Sequence, residues 1–352
     1  MNNQKTILVC PLDWGLGHAT RCIPLIQSFI HQNCKVIIGT SGKQEALLKR
    51  EFPNLSFLEL KGYEVEYPKG DSMITKMIVQ LPKIKRAINE EHLWLEKMID
   101  EHGVDMVVSD NRYGLWSKKV KSVLIAHQLF VKAPTGEWLI EKIVKGYLDN
   151  FEEVWIPDVE GENNLSGDLS HKKPLPSNYK FIGVLSRFSS MLDENQRKSF
   201  REELDFMVIL SGPEPQRTVF ENLILKQVEN TKLKGALVRG LPNSDEKLKI
   251  DNAVIEVFNH LDTTRFIDYI QKSKVVISRS GYSTIMDLAV LNKKAILVPT
   301  PGQTEQEYLA QYHHEKGRFY TQKQKDFEIE KALVEVEKYN GMKIEYSRKP
   351  LN

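Results

Sequence analysis

The stretch from Lys274 to Glu307 reads KVVISRSGYSTIMDLAVLNKKAILVPTPGQTEQE. Its opening block, Val275-Val276-Ile277, is apolar, β-branched and too short for a helix, which predicts a buried strand. Arg279-Ser280-Gly281 then turns the chain. Ser283 and Thr284 stand where a helix N-terminus is expected, and Asp287 follows three residues after Thr284, a capping pattern with an acid in the first turn. The helix is expected from Thr284 to Leu291, ending at Asn292-Lys293-Lys294, with a second strand over Ala295 to Pro299. The loop Pro299 to Gly302 leads into a further helix through Gln303, Glu305 and Gln306.

A glycine turn that feeds a helix aims backbone N–H groups at one point, with the positive end of the helix dipole behind them. That arrangement suits an anion such as a phosphate. Ser283 and Thr284 add hydroxyls, Arg279 adds charge, and Asp287 can accept hydrogen bonds from sugar hydroxyls. An ordinary capped strand–turn–helix fits the same local spacing.

The rest of the chain repeats this alternation. Thr6 to Leu12 is a continuous apolar strand. Asp13-Trp14-Gly15-Leu16-Gly17-His18 is a glycine-rich turn, and Ala19 to Gln32 carries apolar residues at Cys22, Ile23, Ile26, Phe29 and Ile30, the spacing of a helix. This is not the dinucleotide fingerprint, because the third glycine is missing. Strands follow at Lys35 to Thr40, Leu55 to Leu60, Asp105 to Ser109, Val123 to Ala126 and Val154 to Pro157. Strands alternating with helices imply a parallel sheet, and its strand ends would place His18, Asp110 and His127 on one rim. Between Leu60 and Asp105 lies a long, less regular insertion. Its stripe from Met73 to Ile84, interleaved with lysines, fits a helix packed on the sheet or a peripheral contact with a membrane surface.

Residues 158–179 are rich in Gly, Asn, Ser, Lys and Pro and read as an interdomain linker. A second alternation starts at Phe181 to Leu185. It includes a strand over Phe206 to Leu210, the turn Ser211-Gly212-Pro213, strands Ala236 to Val238 and Ala253 to Val257, the turn Phe258 to Leu261 and a helix over Thr264 to Gln271. Asp326 to Tyr339 has a final helical pattern.

The 352 residues suffice for about two domains. A hydrophobic content of 41% and a charged content of 27% fit a globular protein, and a formal charge of +2 gives no footprint for nucleic acid. Cys10, Cys22 and Cys34 lack metal-type spacing and read as thiols of a reducing compartment. No run reaches the length of a membrane span, and the chain enters a strand at once, so a cytoplasmic protein is expected.

The run SRSGYSTIMDLAVLNKKAILVPTPGQTEQEYLA resembles the sugar-donor segment of inverting GT-B glycosyltransferases, the MurG type and related UDP-sugar transferases above all. The G-L-G-H turn is similar to the loop that in this family faces the sugar donor and carries a histidine near the acceptor hydroxyl. The resemblance implies two Rossmann-like doubly wound α/β domains facing across a cleft. Residues 1–157 would be the acceptor side and 180–352 the nucleotide-sugar domain, its terminal helix crossing back. It implies a UDP-sugar co-substrate, an acceptor, and neither cofactor nor metal. Gly15 and Gly17 would face the sugar. Arg187, Ser211, Gly212, Arg279, Ser280, Gly281, Ser283 and Thr284 would surround the diphosphate. Asp287, one methylene shorter than the family's usual Glu, would contact the ribose. Gln303 and Gln306 would contact the sugar, and Phe258 to Leu261 the nucleobase.

Glycosyl transfer needs a stabilised leaving diphosphate and an acceptor hydroxyl that loses its proton. The helix dipole with Arg187 meets the first need, and the sequence has no D-x-D run to hold a divalent ion. For the second, His18 is the candidate base with Asp110 on its other ring nitrogen, and His127 on the acceptor side is the rival. A UDP-sugar 2-epimerase and a non-catalytic nucleotide-sugar-binding partner share the same two-domain plan.

Overall fold

The computed structural model describes residues 4–63, 73–132, 137–189, 203–212 and 214–344, apart from positions 230, 243, 247, 249, 251 and 253; for residues 73–81 it describes the backbone alone. The described residues form two compact units, one through Leu185 and one from Ser186 onward.

The first unit contains β1 (Thr6–Pro11), α1 (Leu16–His31), β2 (Lys35–Thr40), α2 (Gly42–Glu51), β3 (Ser56–Glu59), α3 (Met73–His102), β4 (Met106–Asp110), β5 (Lys121–Ile125), α4 (Glu137–Leu148), β6 (Glu153–Ile156), α5 (Asp168–His171) and β7 (Tyr179–Phe181). Its sheet runs β3-β2-β1-β4-β5-β6-β7 with every described pairing parallel. Helices cover both faces of such a sheet, so its central strands are unbroken apolar runs. Leu8 and Val9 of β1, Val107 and Val108 of β4 and Leu124 of β5 are all fully buried. Strand order reverses between β1 and β4, the position where open α/β sheets bind ligands at the strands' carboxyl ends.

Three sequence expectations change here. Helix α1 begins at Leu16, so His18 lies in its first turn rather than in the preceding loop. The insertion between β3 and β4 is built around the 30-residue helix α3, whose Leu95 and Ile99 pack with Leu8 and Val107. Of the Met73–Ile84 stripe, only Ile84 has a described side chain, and it packs beside Leu12, Tyr63 and Ile88; the other side chains lie outside the described residues. The polar stretch after β6 is no tether. The fully buried Asp158 carboxylate accepts hydrogen bonds from the N–H groups of Val159, Leu165 and Ser166 at 2.8, 2.9 and 2.9 Å, and β7 then adds the seventh strand. Gly, Asn and Ser serve here to wrap a loop around a charge that burial would otherwise disfavour.

The second unit contains β8 (Leu204–Ile209), α6 (Gln216–Val228), β9 (Gly235–Val238), β10 (Ile255–Phe258), α7 (Thr263–Lys272), β11 (Ser273–Ser278), α8 (Tyr282–Leu291), β12 (Lys294–Leu297), α9 (Thr304–Glu315), β13 (Tyr320–Thr321) and α10 (Ile329–Glu335). The order is β10-β9-β8-β11-β12-β13, again parallel, with its reversal between β8 and β11. Phe206, Val208, Phe220, Ile224, Ile277 and Ile296 form the core. Phe327, Ile329, Ala332 and Val336 join the same core, so the terminal helix α10 is part of this unit. Among the described residues no helix is long and apolar enough to cross a membrane.

Candidate active site

Each reversal in strand order collects one group of polar residues. In the first unit, Pro11 of β1 lies in register with Asp110 of β4, which pairs in turn with Ile125 of β5. The start of α1, the end of β4 and the residues just after β5 therefore converge. Gly15 is the N-cap of α1 at φ 149°, a backbone conformation that favours glycine, and Gly17 lies in the first turn with its carbonyl accepting from Thr20 Oγ1 at 3.0 Å. His18 Nδ1 is 3.0 Å from Asp110 Oδ2, so the expected pairing is present.

Sequence reading missed Arg21, which is buried at the centre of this group. Its Nε donates to Asp110 Oδ1 and Oδ2 at 3.0 and 2.9 Å, and its Nη2 also bonds Oδ1. Nη2 lies 2.9 Å from His18 Nδ1 and Nη1 lies 3.0 Å from His127 Nδ1. Residues three apart share a helix face, so Arg21 follows from His18 once α1 is known to begin at Leu16. Burial works against the Asp110 charge, but Arg21 and then His18 hold the carboxyl down at about 2. Burial, followed by the Arg21 charge, holds His18 below its ordinary value, against the opposing pull of Asp110. His18 is thus kept neutral near physiological pH, as a general base must be.

In the second unit the carboxyl ends of β8, β11 and β12 meet. Helix α8 starts one residue earlier than Ser283 and two earlier than Thr284. Its N-cap is Gly281, with no side-chain cap, and it has no acid in its first turn. The first helical bond runs from Ile285 N–H to the Gly281 carbonyl at 3.1 Å, so the amides of Tyr282, Ser283 and Thr284 precede the ladder. Gly281 has an ordinary φ of −71°, and a Cβ there would meet no atom within 4 Å. Its glycine leaves open space at the positive end of the helix.

Asp287 lies further along α8, half-buried, and accepts a 2.6 Å hydrogen bond from Ser186 Oγ. Burial raises its carboxyl to about 6, opposed by the charge of Arg187 and the Ser186 bond. The Arg187 guanidinium stands 4.8 and 4.4 Å from the ring centroids of Phe188 and Phe266, which fixes its plane. Ser186 went unread in the sequence because only the basic residue beside it carried a signal. Ser211 and Gly212 are exposed at the end of β8, with Gly212 at φ 101°; Pro213 lies outside the described residues.

Several expected ligand residues are instead committed to the fold. Arg279 is 1% exposed, donates to the carbonyls of Val298, Pro299 and Gln216 and to Gln324 Oε1, and lies 4.2 Å from the Phe220 centroid. It joins the ends of β11 and β12 to α6, turned inward from the position a ligand charge would need. Ser280 Oγ donates to the Gln306 carbonyl at 2.7 Å, and Gln306 Oε1 accepts from Thr300 N–H at 2.9 Å. Together they fasten the β12–α9 loop to the Gly281 turn. Gln303 is the half-buried N-cap residue of α9. In the turn after β10, Leu261 is buried. Phe258 is half-buried, edge-on to Tyr269 and under the Arg265 guanidinium. That turn is braced by a network the sequence did not reveal: Asn259 Oδ1 accepts from Arg239 at 2.9 Å, and Arg239 and Arg217 both pair with the buried Glu221.

Two parallel-sheet units, each with polar residues at its reversal point, define the GT-B class of glycosyltransferase fold. Solved structures of that class superpose across nearly the whole chain. The glycotransferase of kitacinnamycin is 14% identical with a TM-score of 0.61 over 95% of this chain and 91% of its own. MurG of Acinetobacter baumannii is 10% identical with a TM-score of 0.53 over 95% and 90%. Residues 215–349 match the glycosyltransferase family 28 C-terminal domain. In sequence the chain is 24% identical over 347 residues, 94% of its length and 88% of the relative's, to the UDP-N-acetylglucosamine–N-acetylmuramyl-(pentapeptide) pyrophosphoryl-undecaprenol N-acetylglucosamine transferase of Histophilus somni. It is 23% identical to an uncharacterised glycosyltransferase of Methanosarcina acetivorans, over 86% of this chain and 82% of that one. The fold is that of the GT-B glycosyltransferases, the second unit carries the glycosyltransferase family 28 C-terminal domain, and the chain is a glycosyltransferase similar to the MurG-type enzymes.

Proposed function

We propose that the enzyme moves a hexose or N-acetylhexosamine from a UDP-sugar to an acceptor hydroxyl, with inversion at the anomeric carbon and without a metal ion. The observation that carries this reading is the start of α8: a glycine N-cap with open space beside it, and on the same helix a carboxylate held by Ser186 next to Arg187. The diphosphate would sit against the amides of the first turn, and Asp287 would accept from the ribose. The choice of UDP follows the name of the Histophilus somni relative, and so does an acceptor on a lipid-linked cell-envelope glycan.

In the transfer step the bond from the acceptor oxygen to the anomeric carbon forms as the bond to the diphosphate breaks on the opposite face. The electron pair leaves on the diphosphate, where the helix dipole and Arg187 stabilise it. The acceptor proton passes to Nε2 of His18, whose Nδ1 is oriented by Asp110.

Thermal shift with millimolar UDP, dTDP and their sugars tests sugar-donor binding, since a ligand of the folded state raises its melting point. UDP is expected to stabilise the protein. Gly281→Ala is expected to weaken UDP about ten-fold while lowering stability by only about 0.5–1 kcal/mol, the scale of an N-cap change. Nucleotides that leave the melting curve unmoved would end the proposal. Acceptor-dependent UDP release in excess chelator, with the anomeric configuration of the product read by NMR, tests the metal-free and inverting parts.

A further inference from the structure

The first unit holds two histidines at the same rim, and the chemistry needs one base. The contacts of Arg21 distinguish them. A guanidinium has only N–H donors, so the 3.0 Å contact from Arg21 Nη1 requires His127 Nδ1 to be the acceptor. A neutral imidazole with a bare Nδ1 carries its proton on Nε2. His127 in that form offers an N–H at Nε2 and has no lone pair there to take a proton.

His18 differs. Its Nδ1 is 3.0 Å from Asp110 Oδ2 and 2.9 Å from Arg21 Nη2, and one ring nitrogen serves only one of these at a time. With its proton on Nδ1 the neutral ring donates to Asp110 and leaves Nε2 bare; with its proton on Nε2, Nδ1 accepts from Arg21. With the proton on Nδ1 the Arg21–Asp110 and His18–Asp110 pairs both stand, and only the Nη2–His18 contact is given up. We infer that Arg21 is a positioning residue that allots the protons of the rim, locking His127 as an Nε2–H hydrogen-bond donor and leaving His18 as the imidazole that presents a bare Nε2. Among the described residues, the charged and titratable groups facing His18 are Arg21 on its own helix, Asp110 at the end of β4 and His127 after β5. This rests on the reading of His18 as the base.

The test is two-bond nitrogen–proton NMR on the full-length protein with isotope-labelled histidine, the two signals assigned with His18→Gln and His127→Gln. In the wild type His127 is expected as the Nε2–H tautomer near pH 7.5; the Nδ1–H form there overturns the inference without recourse to any variant. In Arg21→Gln the His18 titration midpoint is expected to rise by about one pH unit, because a neighbouring positive charge has gone while Asp110 remains. A folded Arg21→Gln with an unmoved midpoint also overturns it. Should that variant fail to fold, Arg21→Lys retains the charge and is expected to keep the low midpoint; a rise there counts against the inference. In turnover, His127→Gln retains an N–H donor and is expected to lose about ten-fold or less, whereas His18→Gln is expected to lose about 10²–10⁴-fold. Full turnover by His18→Gln removes the base assignment itself and leaves the tautomer result for His127 standing.

Discussion

Asp287 has two properties that pull against each other. As the proposed ribose ligand it is useful ionised, yet burial raises its carboxyl from the ordinary 3.8 to about 6. An acid whose folded value is raised contributes stability below its unfolded value and loses it as pH climbs through the folded one. Above pH 6 the charge on Asp287 therefore weakens the fold. Asp287→Asn is expected to raise the melting temperature by roughly 2–4 °C at pH 8, with no gain at pH 4, and to weaken UDP binding at both. Calorimetry at the two pH values checks the first part and titration with UDP the second. A ligand residue that costs stability when empty is one sign that its position answers to binding.

At the scale of the element, Arg279 separates fold from function. Its place after β11 and before a glycine marked it in the sequence as a charge for a ligand, but its donors are aimed at three backbone carbonyls and Gln324. Burial draws its guanidinium down to about 10, still charged at neutral pH. Removing it leaves those acceptors unsatisfied, so Arg279→Met is expected to lower stability by about 3 kcal/mol, read as a lower denaturation midpoint. Nucleotide affinity, measured at a temperature where the variant stays folded, should fall far less than in Gly281→Ala. The strands were legible because a sheet covered on both faces demands unbroken apolar runs, which Val275-Val276-Ile277 and Ile7-Leu8-Val9 supply. Helix starts were less so: Gly15 and Gly281 cap without a side-chain signal, so α1 and α8 begin earlier than their polar residues suggest. That error hid Arg21, since the three-residue spacing from His18 has meaning only on a helix. Partners far apart in sequence, such as Ser186 with Asp287 or Glu221 with Arg239, had no local pattern to reveal them.

At the scale of the whole molecule, composition misled at one place and topology corrects it. Residues 158–179 look like a tether, yet Asp158, Leu165, Ser166 and Leu169 are fully buried and Phe181 pairs with Ile156. The two compact units instead meet in sequence at Leu185 and Ser186. For anyone dividing the gene to produce the halves separately, the polar stretch is the wrong place to cut: a first half ending at residue 157 would lack an edge strand and expose the side of β6, inviting aggregation. A break after Leu185 keeps both sheets intact, and the second half then opens with Ser186 and Arg187, the two residues that hold Asp287. Starting that half even two residues later would remove the pair on which nucleotide capture is proposed to depend.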